Sequence, residues 1–372
     1  MTDLALQPAL PRAMYVDAGH WQRERDQVLL SSWYCVGRVA ELGLGGPGRL
    51  AVTDVVGESV LVTRDLRGEL HAAYNVCRHR GAQVVPVDPA VGPPLPCAVG
   101  ALRCPYHSWT YDLSGSLIRA PHTEGVADFD PDRFGLNPVA VEEWGGFVFV
   151  HLTPARAGRL IDDIGEVVAP IGRYPLDRLV VGRRFSYDVA ANYKVLSENY
   201  NECYHCGPVH PELTRLVPSF GGGGADLDWD AGVEHRDGAW TFTMSGTTNR
   251  RPFDTLDDDE RSRHKGALLH PNLWLSCSAD HVAAFTLWPS AVDRTRIVCE
   301  LLFAPEEVAD PAFDPDDAGD FWDLVNRQDW AVCESVQRGM TSRSYHQGWF
   351  APMEDASADI RRWLLPRLGG QS

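Results

Sequence analysis

The chain changes its hydrophobic rhythm near its middle. From Trp33 to about Leu152 the apolar residues come in short β-branched and aromatic runs: SWYCVGRV, LAVTDVV, SVLVTRD, LHAAYNV and FVFVHL. Gly and Asp turns separate them, which predicts a small all-β domain. Before it, residues 1–32 read as a helical lead-in, with Pro11 near its start and Trp21, Val28 and Leu29 as its apolar face. After Leu152, helical spacing appears at 157–168 and 191–205, and an acidic loop follows from Pro218 to about Asp230. Extended segments return in AWTFTMSG, NLWLSCSA, HVAAFTLWP and TRIVCELLFAP. Helices are then predicted from about Pro315 to Gly339 and from about Asp355 to Leu368. Helices flanking an antiparallel sheet make an α+β second domain. The boundaries that follow are 1–32 for the lead-in, 33–152 for the β domain and 153–372 for the second domain, on which the lead-in packs.

Composition narrows the picture only a little. A formal net charge of −17 argues against a general nucleic-acid binder. Uninterrupted apolar runs fall short of the about 18 residues a membrane span needs, so no membrane segment is expected. MTDLALQPALPRAMY lacks a basic region followed by an apolar run, so a cytoplasmic location is expected. The nine cysteines then read as reduced thiols or metal ligands, not a disulfide framework.

Two motifs carry the chemistry. The first is Cys77-Arg78-His79 with Cys104-Pro105-Tyr106-His107, a C-x-H and C-x-x-H pair. Two thiolates and two imidazoles fit a Rieske [2Fe–2S] cluster, in which histidines replace cysteines on one iron. A structural Cys2His2 zinc site is the competing reading, but its halves usually pair like with like. Cys97, with no histidine two or three residues on, reads as a loop or packing thiol. The second motif is ENYNECYHCGPVH, Glu198 to His210. Tyr193, Leu196 and Tyr200 form one helical stripe, and Glu202 and His205, three apart, share a face. Gly207 and Pro208 are expected to break the helix and swing His210 toward His205. Two imidazoles plus a carboxylate make the facial triad of a non-haem Fe(II) oxygenase. The helical apolar spacing at Phe321, Leu324, Val325, Val332 and Val336 puts two candidate carboxylates, Asp323 and Asp329, on one helix.

With these residues in hand, the chain resembles the α subunits of ring-hydroxylating Rieske oxygenases from Trp33 to near Gly339. ENYNECYHCGPVHPEL is similar to the branch of choline monooxygenases and carnitine or glycine-betaine oxygenases. The gap from His79 to Cys104 is longer than the family's, through VDPAVGPPLPCAVG. The resemblance implies a helix-grip-like catalytic domain and chooses Asp329 over Asp323 as third iron ligand, with Glu334 outside the ligand set. It implies a mononuclear Fe(II) on His205, His210 and Asp329, fed by the cluster on Cys77, His79, Cys104 and His107. It also implies that Glu202 bridges a cluster histidine of a neighbouring subunit to His205, hence a homotrimer. The implied activity is hydroxylation or oxidative N-demethylation of a small, quaternary-ammonium substrate, with aromatic or natural-product substrates as the alternative. Trp274 and Phe285 are candidates for an aromatic cage facing the cavity. No G-x-G-x-x-G follows a strand. NAD(P)H electrons are therefore expected through a separate flavin or iron–sulfur reductase. Arg78 and Arg80 read equally as its docking residues and as exposed loop arginines. A non-catalytic Rieske electron carrier, the other class considered, would have no use for the second motif.

Overall fold

The computed structural model describes residues 5–88, 97–224 and 227–369. Its contacts divide the chain into two compact units, one from Leu29 to Asp163 and one made of the residues up to Val28 together with those from Ile164 onward.

The Leu29–Asp163 unit is all β apart from short single-turn helices and the start of the helix Leu160–Val168 at its end. Its larger sheet runs Tyr34–Arg38, Phe147–His151, Pro138–Trp144, Leu70–Tyr74, Glu58–Arg64, Arg49–Val55 and Cys97–Ala98 in spatial order, and every pairing is antiparallel. Phe147–His151 is buried at every position, which is why FVFVHL reads as a continuous apolar run. A smaller sheet joins Leu102–Arg103, Thr110–Tyr111 and Leu117–Arg119. Leu61, Leu102, Trp109, Tyr111 and Leu136 share a core with Cys77 and Cys104. Residues 89–96 of the long gap between the two halves of the first motif lie outside the described residues. Cys97, at its far end, is exposed at the sheet edge, so it is no packing thiol.

The other unit is built on a six-stranded antiparallel sheet: Val180–Val189, Arg294–Phe303, His281–Ala291, Leu273–Cys277, Arg263–Leu269 and Val233–Glu234. The 25-residue helix Asp316–Met340 buries Phe321, Trp322, Val325, Asp329, Trp330, Cys333 and Met340, a stripe at helical spacing. The expected stripe is displaced at its end: Val336 is exposed and Cys333 is buried instead.

Three expected elements differ. The lead-in opens as a strand, Gln7–Pro11, paired antiparallel with Gln347–Phe350, before helices at Ala13–Val16 and Ala18–Gln27. AWTFTMSG is not a strand. Trp240 N–H bonds back to Gly246 O, Gly246 N–H to Thr243 O, and Gly246 sits at φ +83°, so a tight loop consumes the groups a ladder would need. The iron-motif helix is shorter than its periodicity: it runs Tyr193–Tyr200, capped by the Asn192 side chain accepting from Lys194 N–H. Gly207 and Pro208 do not break it. They lie within a separate short helix, Cys206–Val209, whose first turn tolerates proline.

Candidate active site

The first motif folds into two tight turns. Gly81 N–H bonds to Cys77 O and Ser108 N–H to Cys104 O; Gly81 at φ +77° and Ser108 at φ +62° close them. Cys77 and Cys104 are buried, whereas His79 and His107 are exposed with ring centroids 4.6 Å apart. The His79 ring stacks on Trp109 at 5.0 Å. Arg78 N–H donates to the Tyr111 oxygen, which lies 3.2 Å from Cys77 Sγ, so the phenol is turned to donate to the sulfur. Burial and the neighbouring Cys77 hold the Cys104 thiol up, against the N–H groups of Tyr106 and His107 that pull it down. Two buried sulfurs and two exposed imidazoles brought together are the donor set of the expected cluster, with its histidine side toward solvent.

The second site has one centre. His205 Nε2 and His210 Nε2 lie 3.2 and 2.9 Å from Asp329 Oδ1. His205 Nδ1 meets Glu202 Oε1 at 2.5 Å, and His210 Nδ1 meets Gln328 Oε1 at 2.8 Å. Each Nδ1–H thus has an oxygen acceptor, which leaves both Nε2 lone pairs facing the Asp329 carboxylate. Three acceptors pointed at one another repel unless a cation lies among them. Burial disfavours a charged His205, yet Asp329 and Glu202 outweigh it and raise the imidazole to about 10, because the same carboxylates that would attract a metal cation also attract a proton to Nε2 in its place. Burial likewise pushes Asp329 up, and the two imidazoles overcome it and hold the carboxyl low. This set fits Fe(II) on two imidazoles and one carboxylate.

The other residues singled out in the sequence lie as follows. Glu202 also accepts from Tyr204 N–H. Because the helix has ended by Tyr200, a turn, not a shared helical face, sets its contact with His205. Asp323 is engaged elsewhere, by the Tyr187 hydroxyl and Arg327. Glu334 accepts from Ala190 N–H, outside the triad. Trp274 and Phe285 do not face the cavity: both are fully buried and pack behind Tyr200, at 4.6 and 5.3 Å between centroids. Two cysteines depart from the reduced-thiol expectation, since Cys203 and Cys206 are joined as a disulfide across the motif's turn.

The cavity beside the triad measures about 150 Å³. Tyr200, Phe220, Trp229, Phe242, Phe321 and Trp322 give it aromatic walls, with Asn199, His264 and Ser276 among its polar groups. Asn199 Nδ2 is 3.3 Å from His205 Nε2, and its Oδ1 is buried without a partner. Gln328, Asn199 and His264 escaped sequence reasoning. For Gln328 adjacency to Asp329 was a usable signal; His264 had none. The Trp322 indole N–H donates to His281 Nε2 at 2.8 Å; His281 Nδ1 in turn meets Asp280, which Arg250 also binds. That buried chain fixes the tilt of one cavity wall.

A buried two-histidine, one-carboxylate centre in one unit and a Cys2His2 turn pair in the other define a two-centre iron oxidoreductase. Residues 176–370 match the family described as ring hydroxylating alpha subunit (catalytic domain), and residues 32–130 match the Rieske [2Fe-2S] domain. The chain belongs to this family of Rieske non-haem iron oxygenases, whose terminal components take electrons from a separate reductase. It is 29% identical to the glycine betaine monooxygenase oxygenase subunit of Pseudomonas aeruginosa strain UCBPP-PA14, over 91% of this chain and 84% of that one. It is also 29% identical to the carnitine monooxygenase oxygenase subunit of Escherichia coli K12, over 94% and 88%. Its fold is that of the quaternary ammonium Rieske monooxygenase CntA in complex with L-carnitine: TM-score 0.72, 24% identity, 98% and 97% coverage. Naphthalene 1,2-dioxygenase from a Rhodococcus species shares the fold at TM-score 0.71 and 18% identity, with 98% and 95% coverage.

Proposed function

We propose that this chain is a monooxygenase that hydroxylates a carbon next to nitrogen in a small quaternary-ammonium compound, the product persisting as an alcohol or losing aldehyde as N-demethylation. The carrying observation is the convergence of His205, His210 and Asp329 beside an aromatic-walled cavity. A quaternary cation keeps its charge without hydrogen bonds, and aromatic faces attract it by about 0.5–2 kcal/mol each. The names of the relatives support the same class. When bound, the cluster and Fe(II) supply single electrons and O2 activation. The residues of this chain do the rest: Glu202 and Gln328 orient the two imidazoles, and the aromatic walls exclude water and seat the cation.

Cys77, His79, Cys104 and His107 hold the cluster in this reading, and His205, His210 and Asp329 the iron. Glu202 accepts a further hydrogen bond from the exposed His79 or His107 of a neighbouring subunit, in a head-to-tail homotrimer closed by a heterologous interface. The enzyme acts in the cytoplasm with a separate flavin-dependent reductase using NAD(P)H. Among the described residues no helix is long and apolar enough to cross a membrane, which is compatible with that location. Product analysis with a surrogate reductase, NADH and a panel of methylammonium and aromatic compounds tests the reading. Formaldehyde or an alcohol from a methylammonium substrate supports it. Turnover confined to aromatic rings overturns the substrate class and favours ring hydroxylation, which aromatic walls also permit.

A further inference from the structure

The cavity has more to say about its ligand than that it is a cation. His264, on the strand Arg263–Leu269, is 8% exposed and lines the cavity. Its ring lies 4.3 Å from that of Phe242. Its Nδ1 is buried without a partner, and among the described residues no hydrogen bond reaches either ring nitrogen. Nδ1 is closed off, so the nitrogen a ligand in the cavity can meet is Nε2, and a largely buried imidazole without partners costs free energy until something binds it. Burial first, then the nearby His235 and His281, hold its pKa well below the usual imidazole range, so the ring is neutral. It can donate or accept one hydrogen bond but cannot neutralise an anion.

No other side chain at hand can. Among the described lining residues there is no Lys or Arg, while Glu202 and Asp329 are both present. Lys265, the next residue on the strand, points to the opposite face, where its Nζ is held by Glu260 and Pro170 O. Arg250 is committed to Asp280 and Asp317. The Fe(II) that His205, His210 and Asp329 would hold is already offset in charge by the carboxylates of Asp329 and Glu202, so a substrate carboxylate brought into this cavity would be stripped of water with no net positive charge to receive it. Size agrees: a cavity of about 150 Å³ is what an apolar pocket needs to take benzene, a ligand of six heavy atoms.

We propose that His264 is the specificity-determining residue of this cavity, hydrogen bonding an uncharged polar group, such as an alcohol, on a compact quaternary-ammonium substrate, and that substrates ending in a carboxylate are rejected. This rests on the quaternary-ammonium reading above and narrows it. It sets the chain apart from relatives named for betaine and carnitine, both of which carry carboxylates.

The test is equilibrium binding to the purified, metal-loaded protein, read by calorimetry and by quenching of tryptophan fluorescence. The probes are choline, ethyltrimethylammonium (choline's shape without its hydroxyl), glycine betaine and L-carnitine. Choline is expected to bind about tenfold or more tightly than the other three, a tenfold change being about 1.4 kcal/mol, the net worth of one hydrogen bond. In His264→Phe the preference for choline over ethyltrimethylammonium should collapse to about twofold or less, and His264→Gln should restore part of it. Betaine or carnitine binding as tightly as choline overturns the inference on the unaltered protein, whatever the variants do. So does an equal loss of choline and ethyltrimethylammonium binding in His264→Phe. Silence toward all four probes instead sinks the quaternary-ammonium reading itself.

Discussion

At the level of single residues, Glu202 and Asp329 do different work on the same imidazole. Asp329 shares the triad's centre; Glu202 holds the far nitrogen of His205. Asp329→Asn should abolish mononuclear iron while the visible spectrum of the cluster survives, as iron analysis and absorption would show. Glu202→Gln should keep both metals and slow product formation by about 10–100-fold, the range for losing a partner that orients a ligand. Unchanged turnover in Glu202→Gln would remove the bridging role. Glu198 gives a pH prediction. It is buried, and burial raises its carboxyl to about 8 despite the Tyr15 hydroxyl that donates to it at 2.5 Å and the nearby Lys194. A raised carboxyl favours the folded state while it is protonated. Its contribution is complete below about pH 4.5, its ordinary value, and is lost as pH climbs through about 8. Thermal melts should therefore show a fall in Tm between these limits that Glu198→Gln flattens.

Among the elements, the iron-motif helix depends on the start of the chain. Lys194 and Glu24 pair at 2.6 Å with both side chains fully buried, and Tyr193 O–H donates to the same carboxylate. Removing one member leaves a buried charge uncompensated, so Glu24→Ala should cost about 3–5 kcal/mol in chemical denaturation. Glu24→Leu combined with Lys194→Met should recover most of it. Legibility divides at this scale. The two metal motifs and the long helix were readable because ligand spacing and apolar periodicity are local. The end of the helix at Tyr200 was not, because the sequence beyond it keeps helical residues while the turn is set by Glu202 binding Tyr204 N–H and His205. Trp274 and Phe285 were misplaced because period-2 alternation gives a strand's faces, not which face a helix will cover. On Leu273–Cys277 every position is buried, so alternation carried no information there.

For the molecule as a whole, the proposed trimer makes two claims. Light scattering at working concentration should give three times the 41.2 kDa chain mass; a monomer would count against electron transfer between subunits. Mixed oligomers should separate the alternatives further. Subunits carrying Cys77→Ser, which cannot hold a cluster, co-expressed with subunits carrying Asp329→Asn should regain part of the activity that each lacks alone. No recovery in verified mixed oligomers would place the electron path within one chain.

The pairing of Gln7–Pro11 with Gln347–Phe350 and the burial of Glu24 against Lys194 make the iron-binding unit discontinuous in the gene. The iron–sulfur unit is an insert between its two pieces, not a module added at one end. A dissection that simply starts translation at residue 164 would discard an edge strand and the counter-ion of a buried lysine, and insoluble protein from it would say nothing about autonomy. The informative excision removes the interior and retains both flanks, and the same geometry cautions against grafting this half onto a foreign electron-transfer domain by ordinary tail-to-head splicing.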